Sequence, residues 1–184
     1  PHPRETLSGD SALVERHGTH LRVAVIDGLG HGPAAREAAL RTSASLSNTW
    51  RDELQDSVLA AHDLVAATRG ATLGVADIDL SARSVRATTI GNVRVALFFG
   101  PGRTWSPCGT DAVLGHGRGT LHGRLAVRVE QHALPPDGLF ALFSDGLQNQ
   151  LRPPLQRLGE LTETGLLLFA TYAVPNDDST LLLV

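Results

Sequence analysis

Carboxylates recur in this sequence at the ends of apolar segments. Asp10 and Asp27 flank a candidate hairpin, Asp145 follows the apolar run 139–143, and Asp177 precedes the apolar end of the chain. A single Asp at a strand end is usually a turn or cap residue, but four in one small domain make coincidence a weaker explanation. Because the candidate ligands are oxygens and no Cys or His cluster accompanies them, they favour Mg²⁺ or Mn²⁺ over Zn²⁺.

The loop Gly18-Thr19 predicts which two of these acids face each other. A two-residue loop with Gly first suits a type II′ turn, and pairing His17 with His20 then places Asp10 opposite Asp27. Directly opposed residues have Cβ atoms ~4.5–5.5 Å apart, and like charges there are destabilising unless something compensates them. A divalent cation would compensate them, whereas a longer or bulged hairpin would let the two carboxylates diverge into water. The hairpin alone leaves both alternatives open.

The segment from Asp27 to Pro33 has a rival interpretation, because a strand, a glycine-rich turn and a helix are also how dinucleotide-binding folds hold phosphate. Its glycines follow the spacing G-x-G-x-G rather than G-x-G-x-x-G. A second helix is predicted next with no intervening strand, and no acidic residue closes a second strand ~20 residues later. We therefore disfavour a dinucleotide site.

The elements that must position the acids are mostly short strands. Strands are predicted at 10–17, 20–26, 71–79, 84–90, 93–99, 125–131, 139–144 and 179–184, and helices at 34–46, 51–67 and 155–172. Two helices inserted into a run of antiparallel strands, with another helix late, predict an α+β layered sandwich. The continuously apolar runs 139–143 and 181–184 predict strands buried on both faces.

Composition limits the class of protein. A chain of 184 residues suits one domain, so we expect a single domain over 1–184, with 1–7 as an N-terminal extension or trimmed start. A net charge of −3 gives no electrostatic reason to expect nucleic acid. The longest apolar stretch, 165–174, is shorter than the ~20 residues that a membrane span needs, and we expect no leader segment. We expect a soluble, cytoplasmic protein with no membrane partner.

Four motifs stand in a fixed order: Ser8-Gly9-Asp10, Asp27-Gly28-Leu29-Gly30-His31-Gly32, Ser144-Asp145-Gly146 and Asp177-Asp178-Ser179-Thr180. In this order the chain resembles the metal-dependent protein serine/threonine phosphatases of the PPM family, in their bacterial SpoIIE-like branch. Thr68-Arg69-Gly70-Ala71 and Gly91-Asn92-Val93-Arg94 stand where that branch has similar segments. The short length and the glycine-rich boxes are most similar to RsbX-type phosphatases of the stressosome.

The resemblance implies an α/β/β/α sandwich of antiparallel sheets flanked by helices, with two Mn²⁺ or Mg²⁺ ions at one end. It implies that Asp27 bridges both ions, that the Gly28 carbonyl binds one, and that Asp145 and Asp177 hold the other. Asp10 matches an acid that ligates directly or through water. Asp27 and Asp145 are thereby the candidate catalytic residues, and the position of Asp178 often holds Asn in relatives.

The activity implied is hydrolysis of phosphoserine or phosphothreonine by a metal-activated water, since two ions ~3.5–4 Å apart lower the pKa of a shared water. The implied substrates are phosphorylated STAS-domain proteins, such as stressosome scaffold proteins or an anti-anti-sigma factor. The alternative is a catalytically weak domain that acts as a protein-binding module, although a pure binder has no need of four converging acids. His31 and His62 are each either a general acid or a structural residue, and the oligomeric state is left open.

Overall fold

Two antiparallel sheets lie between helices in the computed structural model, which describes residues 2, 5–100, 102–117, 124–148, 151–153, 160–175 and 177–184. The strands are β1 (Asp10–His17), β2 (His20–Gly28), β3 (Ala71–Asp79), β4 (Ser84–Ile90), β5 (Arg94–Phe99), β6 (Arg103–Trp105), β7 (Glu130–Ala133), β8 (Leu139–Phe143) and β9 (Leu181–Leu183). The helices are α1 (Pro33–Asn48), α2 (Leu54–Leu64) and α3 (Leu161–Tyr172).

The strands form a five-stranded sheet in the order β1-β2-β3-β4-β7 and a four-stranded sheet in the order β6-β5-β8-β9. Every named strand pair in both sheets is antiparallel. The predicted α+β sandwich is therefore confirmed. No helix in the described part of the chain has the length and apolar character needed to span a membrane.

Three apolar clusters separate four layers. The first packs α1 and α2 on the outer face of the five-stranded sheet, the second fills the space between the sheets, and the third packs α3 on the four-stranded sheet. In β2, Val23 and Val25 point into the second cluster while Ala24 and Ile26 point into the first. Successive side chains of a strand face opposite sides, so the middle of β2, residues 23–26, is continuously apolar because both of its faces are covered.

The hairpin between β1 and β2 has the predicted register. His17 pairs with His20, and Asp10 pairs with Asp27. Gly18 has φ of 65°, the positive value that the first loop position of a type II′ turn requires. The two acids are thus fixed opposite each other, and no bulge separates them.

The structure corrects the prediction at three places. The strand expected at 125–131 is β7, Glu130–Ala133, because only this part pairs with β4, while Leu125 packs against the helix-side core without joining a strand. The last strand is half-buried rather than buried on both faces, because β9 lies at the edge of its sheet. The strand β6 was not predicted, and residues 155–159 of the predicted third helix lie outside the described residues.

Candidate metal centre

The four strand-end acids come from both sheets. Asp10 begins β1 and faces Asp27 near the end of β2, whereas Asp145 follows β8 and Asp177 precedes β9. A hydrogen bond joins the two sheets here, since the Ser144 hydroxyl donates to Asp10 Oδ2 at 2.6 Å. The hairpin register and this bond bring the ends of β1, β2 and β8 together.

Asp10 is the most enclosed of the four acids, with 4% of its surface exposed. Its Oδ1 atom is buried and has no hydrogen-bond partner among the described residues. Burial raises the pKa of Asp10 to about 6, although the hydrogen bond from Ser144 opposes this shift. Buried polar atoms are nearly always paired, and a carboxylate oxygen without a partner is where a cation would bind.

Asp27 is the acid on which the most negative charge converges. Burial, together with the nearby charges of Asp10, Asp145, Asp177 and Asp178, raises the pKa of its carboxyl to about 8. Like charges in one partly buried site cannot all ionise without a counter-charge. These five acids, Asp27 and the four that act on it, therefore form one cluster. A bound cation would stabilise the cluster by neutralising its charge.

Two residues that the sequence analysis did not propose as site residues connect Asp27 to Asp145. Asn92 donates from Nδ2 to Asp145 Oδ2 at 2.5 Å, and the Thr72 hydroxyl donates to Asn92 Oδ1 at 2.7 Å. The same hydroxyl lies 3.5 Å from Asp27 Oδ2. Thr72 stands directly opposite Asp27 in the β2–β3 register, so the strand alignment was the signal that could have identified it. Burial and the charge of Asp177 raise the pKa of Asp145.

The neighbouring acids Asp177 and Asp178 have different environments. Asp177 is exposed, and its Oδ1 accepts the main-chain N–H of Asp178 at 2.9 Å. Asp178 is 5% exposed and accepts the main-chain N–H groups of His2 and Gly9, each at 2.6 Å. Asp178 therefore fastens the N-terminal segment beside the cluster, while Asp177 lies where an incoming ion could reach it.

The glycines that follow Asp27 and Asp145 allow backbones to approach closely. A Cβ atom on Gly28 would lie 1.9 Å from the Ala35 carbonyl oxygen, and one on Gly146 would lie 1.9 Å from the Asp178 carbonyl oxygen. No side chain fits at either distance. Each of these glycines thus packs directly against a second part of the chain. This contact fixes the direction of the Asp that precedes the glycine.

The two histidines considered as general acids contact other groups. His62 accepts the Gly115 N–H at its Nδ1 over 3.1 Å, which is a structural contact. His31 lies with Nδ1 2.8 Å from Glu5 Oε1, and its ring stacks on that of His2 with centroids 4.6 Å apart. Neither histidine has a hydrogen bond to the acid cluster among the described residues.

The donor set fits a hard divalent cation. It consists of carboxylate oxygens, one of them buried with no partner from the described residues, and such ligands suit Mg²⁺ and Mn²⁺. Within the described ranges no three acid, His or Cys side chains are already closed around a common point in the manner of metal ligands. The cluster is therefore a set of converging, mutually repelling acids that an ion would have to draw together.

Comparison with known proteins identifies the fold and the family of this chain. The sandwich is the PP2C-type phosphatase fold, as in the PP2C domain of SpoIIE from Bacillus subtilis (TM-score 0.72, 16% identity, 96% of this chain and 58% of that chain). The family model for stage II sporulation protein E matches residues 17–184. The chain belongs to the SpoIIE family, and the predicted resemblance is confirmed.

Within this family, the chain is similar to phosphatases of the RsbX type. The chain is 26% identical over 103 residues to phosphoserine phosphatase RsbX of Bacillus subtilis strain 168, over 56% of this chain and 52% of the relative. The match thus spans about half the length of that curated relative. A structure from the bacterial stressosome, described as a modular system adapted to control secondary messenger signalling, has a TM-score of 0.85 at 26% identity and covers 99% of this chain and 93% of that chain. RsbX in complex with magnesium has a TM-score of 0.83 at 22% identity, over 98% and 87% of the two chains.

Proposed function

We propose that this protein is a Mn²⁺- or Mg²⁺-dependent protein serine/threonine phosphatase. The observation that carries the proposal is the pair Asp10 and Asp27, opposed in register at a sheet end, with the buried Asp10 Oδ1 unpaired in the described part of the chain. Membership of the SpoIIE family and similarity to a phosphoserine phosphatase support it. The expected single domain over 1–184 and the expected cytoplasmic location are part of the same proposal.

Five residues would hold the ions. Asp27 would contact both, with the Gly28 carbonyl on one of them, and Asp145 and Asp177 would hold the other. Asp10 would ligate directly or through water. The crystal structure of RsbX with magnesium supports a divalent cation in a protein of this fold.

Neighbouring side chains hold the metal-binding acids in position. When bound, two divalent ions lower the pKa of a water molecule and offset the charge on a phosphoryl group. The Ser144 hydroxyl holds Asp10, and the Asn92 amide holds Asp145 at 2.5 Å. Mutation of a group that orients a metal ligand typically weakens metal affinity 10–100-fold. The contact from Asn92 to Asp145 would therefore affect how tightly the ion held by Asp145 and Asp177 is bound. Asp27 and Asp145 remain the acids we propose as catalytic.

The proposed substrate is a phosphorylated STAS-domain protein, of the stressosome or anti-anti-sigma type. The curated relative is named a phosphoserine phosphatase, and a structure of the same fold at 26% identity comes from the bacterial stressosome. Both support a phosphoserine on a regulatory protein rather than a small metabolite.

The test is hydrolysis of p-nitrophenyl phosphate and of a phosphoserine peptide, with added Mn²⁺ and then with EDTA. We expect turnover only with the metal, and loss of at least a hundredfold in Asp27→Asn. Asp63→Asn is the matched control, because Asp63 is an exposed acid on α2. Full turnover in the metal-stripped protein would contradict the proposal. Tight Mn²⁺ binding without any turnover would favour the alternative of a protein-binding module.

A further inference from the structure

Arg69 lies beside the acid cluster with its side chain exposed, and we propose that its guanidinium binds the phosphoryl group of the substrate. This inference rests on the proposed phosphatase function and adds a substrate-binding residue to it. Arg69 belongs to the segment Thr68-Arg69-Gly70-Ala71, which leads into β3. None of the metal-binding roles described above uses this segment.

Strand register places Arg69 next to the glycine-rich loop that follows β2. The pairing of β2 with β3 continues beyond the end of β2, because the Leu29 N–H donates to the Gly70 carbonyl at 3.0 Å. The next position in this register brings Arg69 opposite Gly30. A Cβ atom on Gly30 would lie 2.9 Å from Arg69 Nη1, so the guanidinium packs directly against the glycine backbone.

Gly30 in turn borders the acid cluster. A Cβ atom on Gly9 would lie 3.3 Å from the Gly30 carbonyl oxygen and 2.9 Å from Asp178 Oδ2. Gly9 directly precedes Asp10, and its N–H donates to Asp178 at 2.6 Å. The guanidinium of Arg69 therefore lies at the rim of the cluster, separated from it by glycine backbone.

The guanidinium of Arg69 is available to a ligand. Arg69 is exposed, and its side chain makes no hydrogen bond or ion pair with any residue that the structure describes. Arg36, which also lies near the start of β1, already donates from Nη1 to the Ser8 and Asp10 carbonyl oxygens at 3.3 and 3.5 Å. Arg69 is therefore better placed than Arg36 to bind an incoming anion.

The main chain around Arg69 is held in place before any ligand binds. The Thr68 hydroxyl donates to the Val65 carbonyl at 2.7 Å and accepts the Gly70 N–H at 3.1 Å. His116 Nε2 donates to the Arg69 carbonyl at 2.7 Å. Since ordering of a loop on binding costs affinity, a backbone that is already fixed favours binding by the side chain it carries.

A phosphate monoester is the ligand that this arginine suits. A guanidinium is charged at every working pH, and its planar fork of N–H donors matches two phosphate oxygens. The five ionised carboxylates of the cluster would outweigh two divalent ions by one negative charge. That excess disfavours a phosphate dianion, so a cation at the rim would offset it where the substrate enters.

The experiment compares Arg69→Gln with a matched control, Arg16→Gln. Arg16 is an exposed arginine at the far end of the hairpin, and its side chain donates to the Gly18 carbonyl. The measurements are KM and kcat for p-nitrophenyl phosphate at several Mn²⁺ concentrations, and calorimetric titration of the Mg²⁺-loaded protein with inorganic phosphate.

We expect Arg69→Gln to raise KM and the Kd for phosphate about tenfold or more, as the loss of a charged hydrogen bond predicts. Its Mn²⁺ requirement should stay unchanged, because Arg69 is not proposed to hold a metal ligand. Arg16→Gln should match wild type. Arg69→Lys keeps the charge without the fork, so it should recover part of the lost phosphate affinity.

Two results would overturn the role of Arg69. One is a KM and a phosphate Kd in Arg69→Gln equal to those of Arg16→Gln, in protein that shows metal-dependent turnover. The other is a phosphate affinity in Arg69→Lys no better than in Arg69→Gln. Either result would leave the proposed function intact. Wild-type protein without metal-dependent turnover would instead contradict the proposed function, and the phosphate titration would still report on Arg69.

Discussion

Replacing Asp27 by Asn should stabilise the metal-free protein while removing its activity. In the absence of an ion, Asp27 is half-buried among four other acids, and its pKa is raised from 3.8 to about 8. The folded state therefore holds a proton on this carboxyl that the unfolded state releases above pH 4. Asparagine has nearly the same shape and carries no charge.

The direction and size of the Asp27 effect on the free energy of unfolding follow from proton linkage. Between pH 4 and pH 8 the folded state binds more protons than the unfolded state, so the free energy of unfolding falls as pH rises. The slope is about 1.4 kcal/mol per pH unit for one such group, which amounts to about 4 kcal/mol at pH 7. For a chain of this length, a loss of about 4 kcal/mol lowers the melting temperature at pH 7 by about 10 °C relative to pH 4. Asp10, with a pKa of about 6, adds a smaller loss between pH 4 and pH 6.

The assay is thermal unfolding in EDTA at several pH values from 5 to 8.5. Wild type should lose stability steadily up to pH 8, whereas Asp27→Asn should show a shallower slope and a higher melting temperature at pH 8. Added Mn²⁺ should reverse the order, because the ion binds the folded wild type and stabilises it by mass action. Asp63→Asn should follow wild type throughout. If Asp27→Asn and wild type had the same slope in EDTA, the electrostatic account of this cluster would be refuted.

Four other substitutions test the metal centre. Asp145→Asn and Asp177→Asn should each weaken one ion only, so raised Mn²⁺ should restore part of their turnover, and a titration of activity against Mn²⁺ measures this. Asn92→Ala should raise the Mn²⁺ concentration for half-maximal activity about tenfold, because Asn92 donates to Asp145; an unchanged Mn²⁺ requirement would count against that role. Gly146→Ala should cost about 2 kcal/mol or more in urea unfolding, since its Cβ would lie 1.9 Å from a carbonyl oxygen across the site. Gly117→Ala is its control and should be close to neutral, because a Cβ at Gly117 would meet no atom of the described residues within 4 Å.

Local rules were enough to predict the part of the site that lies within one hairpin. The loop Gly18-Thr19 fixes the register of β1 against β2, and that register alone places Asp10 opposite Asp27. The order of four short motifs then predicted the family and the layered fold. These features depend on neighbours in sequence or on motif order, both of which can be read without coordinates.

Contacts between the sheets could not be predicted in this way. Ser144 reaches Asp10 across 134 positions in the sequence, and Asn92 reaches Asp145 across 53. The spacing of residues says nothing about such pairs, because they depend on how two sheets pack. The displaced strand β7 has the same cause, since residues 125–129 have the apolar pattern of a strand but pack against the helix-side core rather than joining the ladder.

The most direct test of the central claim is an anomalous difference map from crystals of this protein grown with Mn²⁺. We expect two manganese peaks about 3.5–4 Å apart, with Asp27 between them and Asp10, Asp145 and Asp177 around them. Peaks elsewhere on the molecule, or none at this end of the sandwich at saturating Mn²⁺, would contradict it.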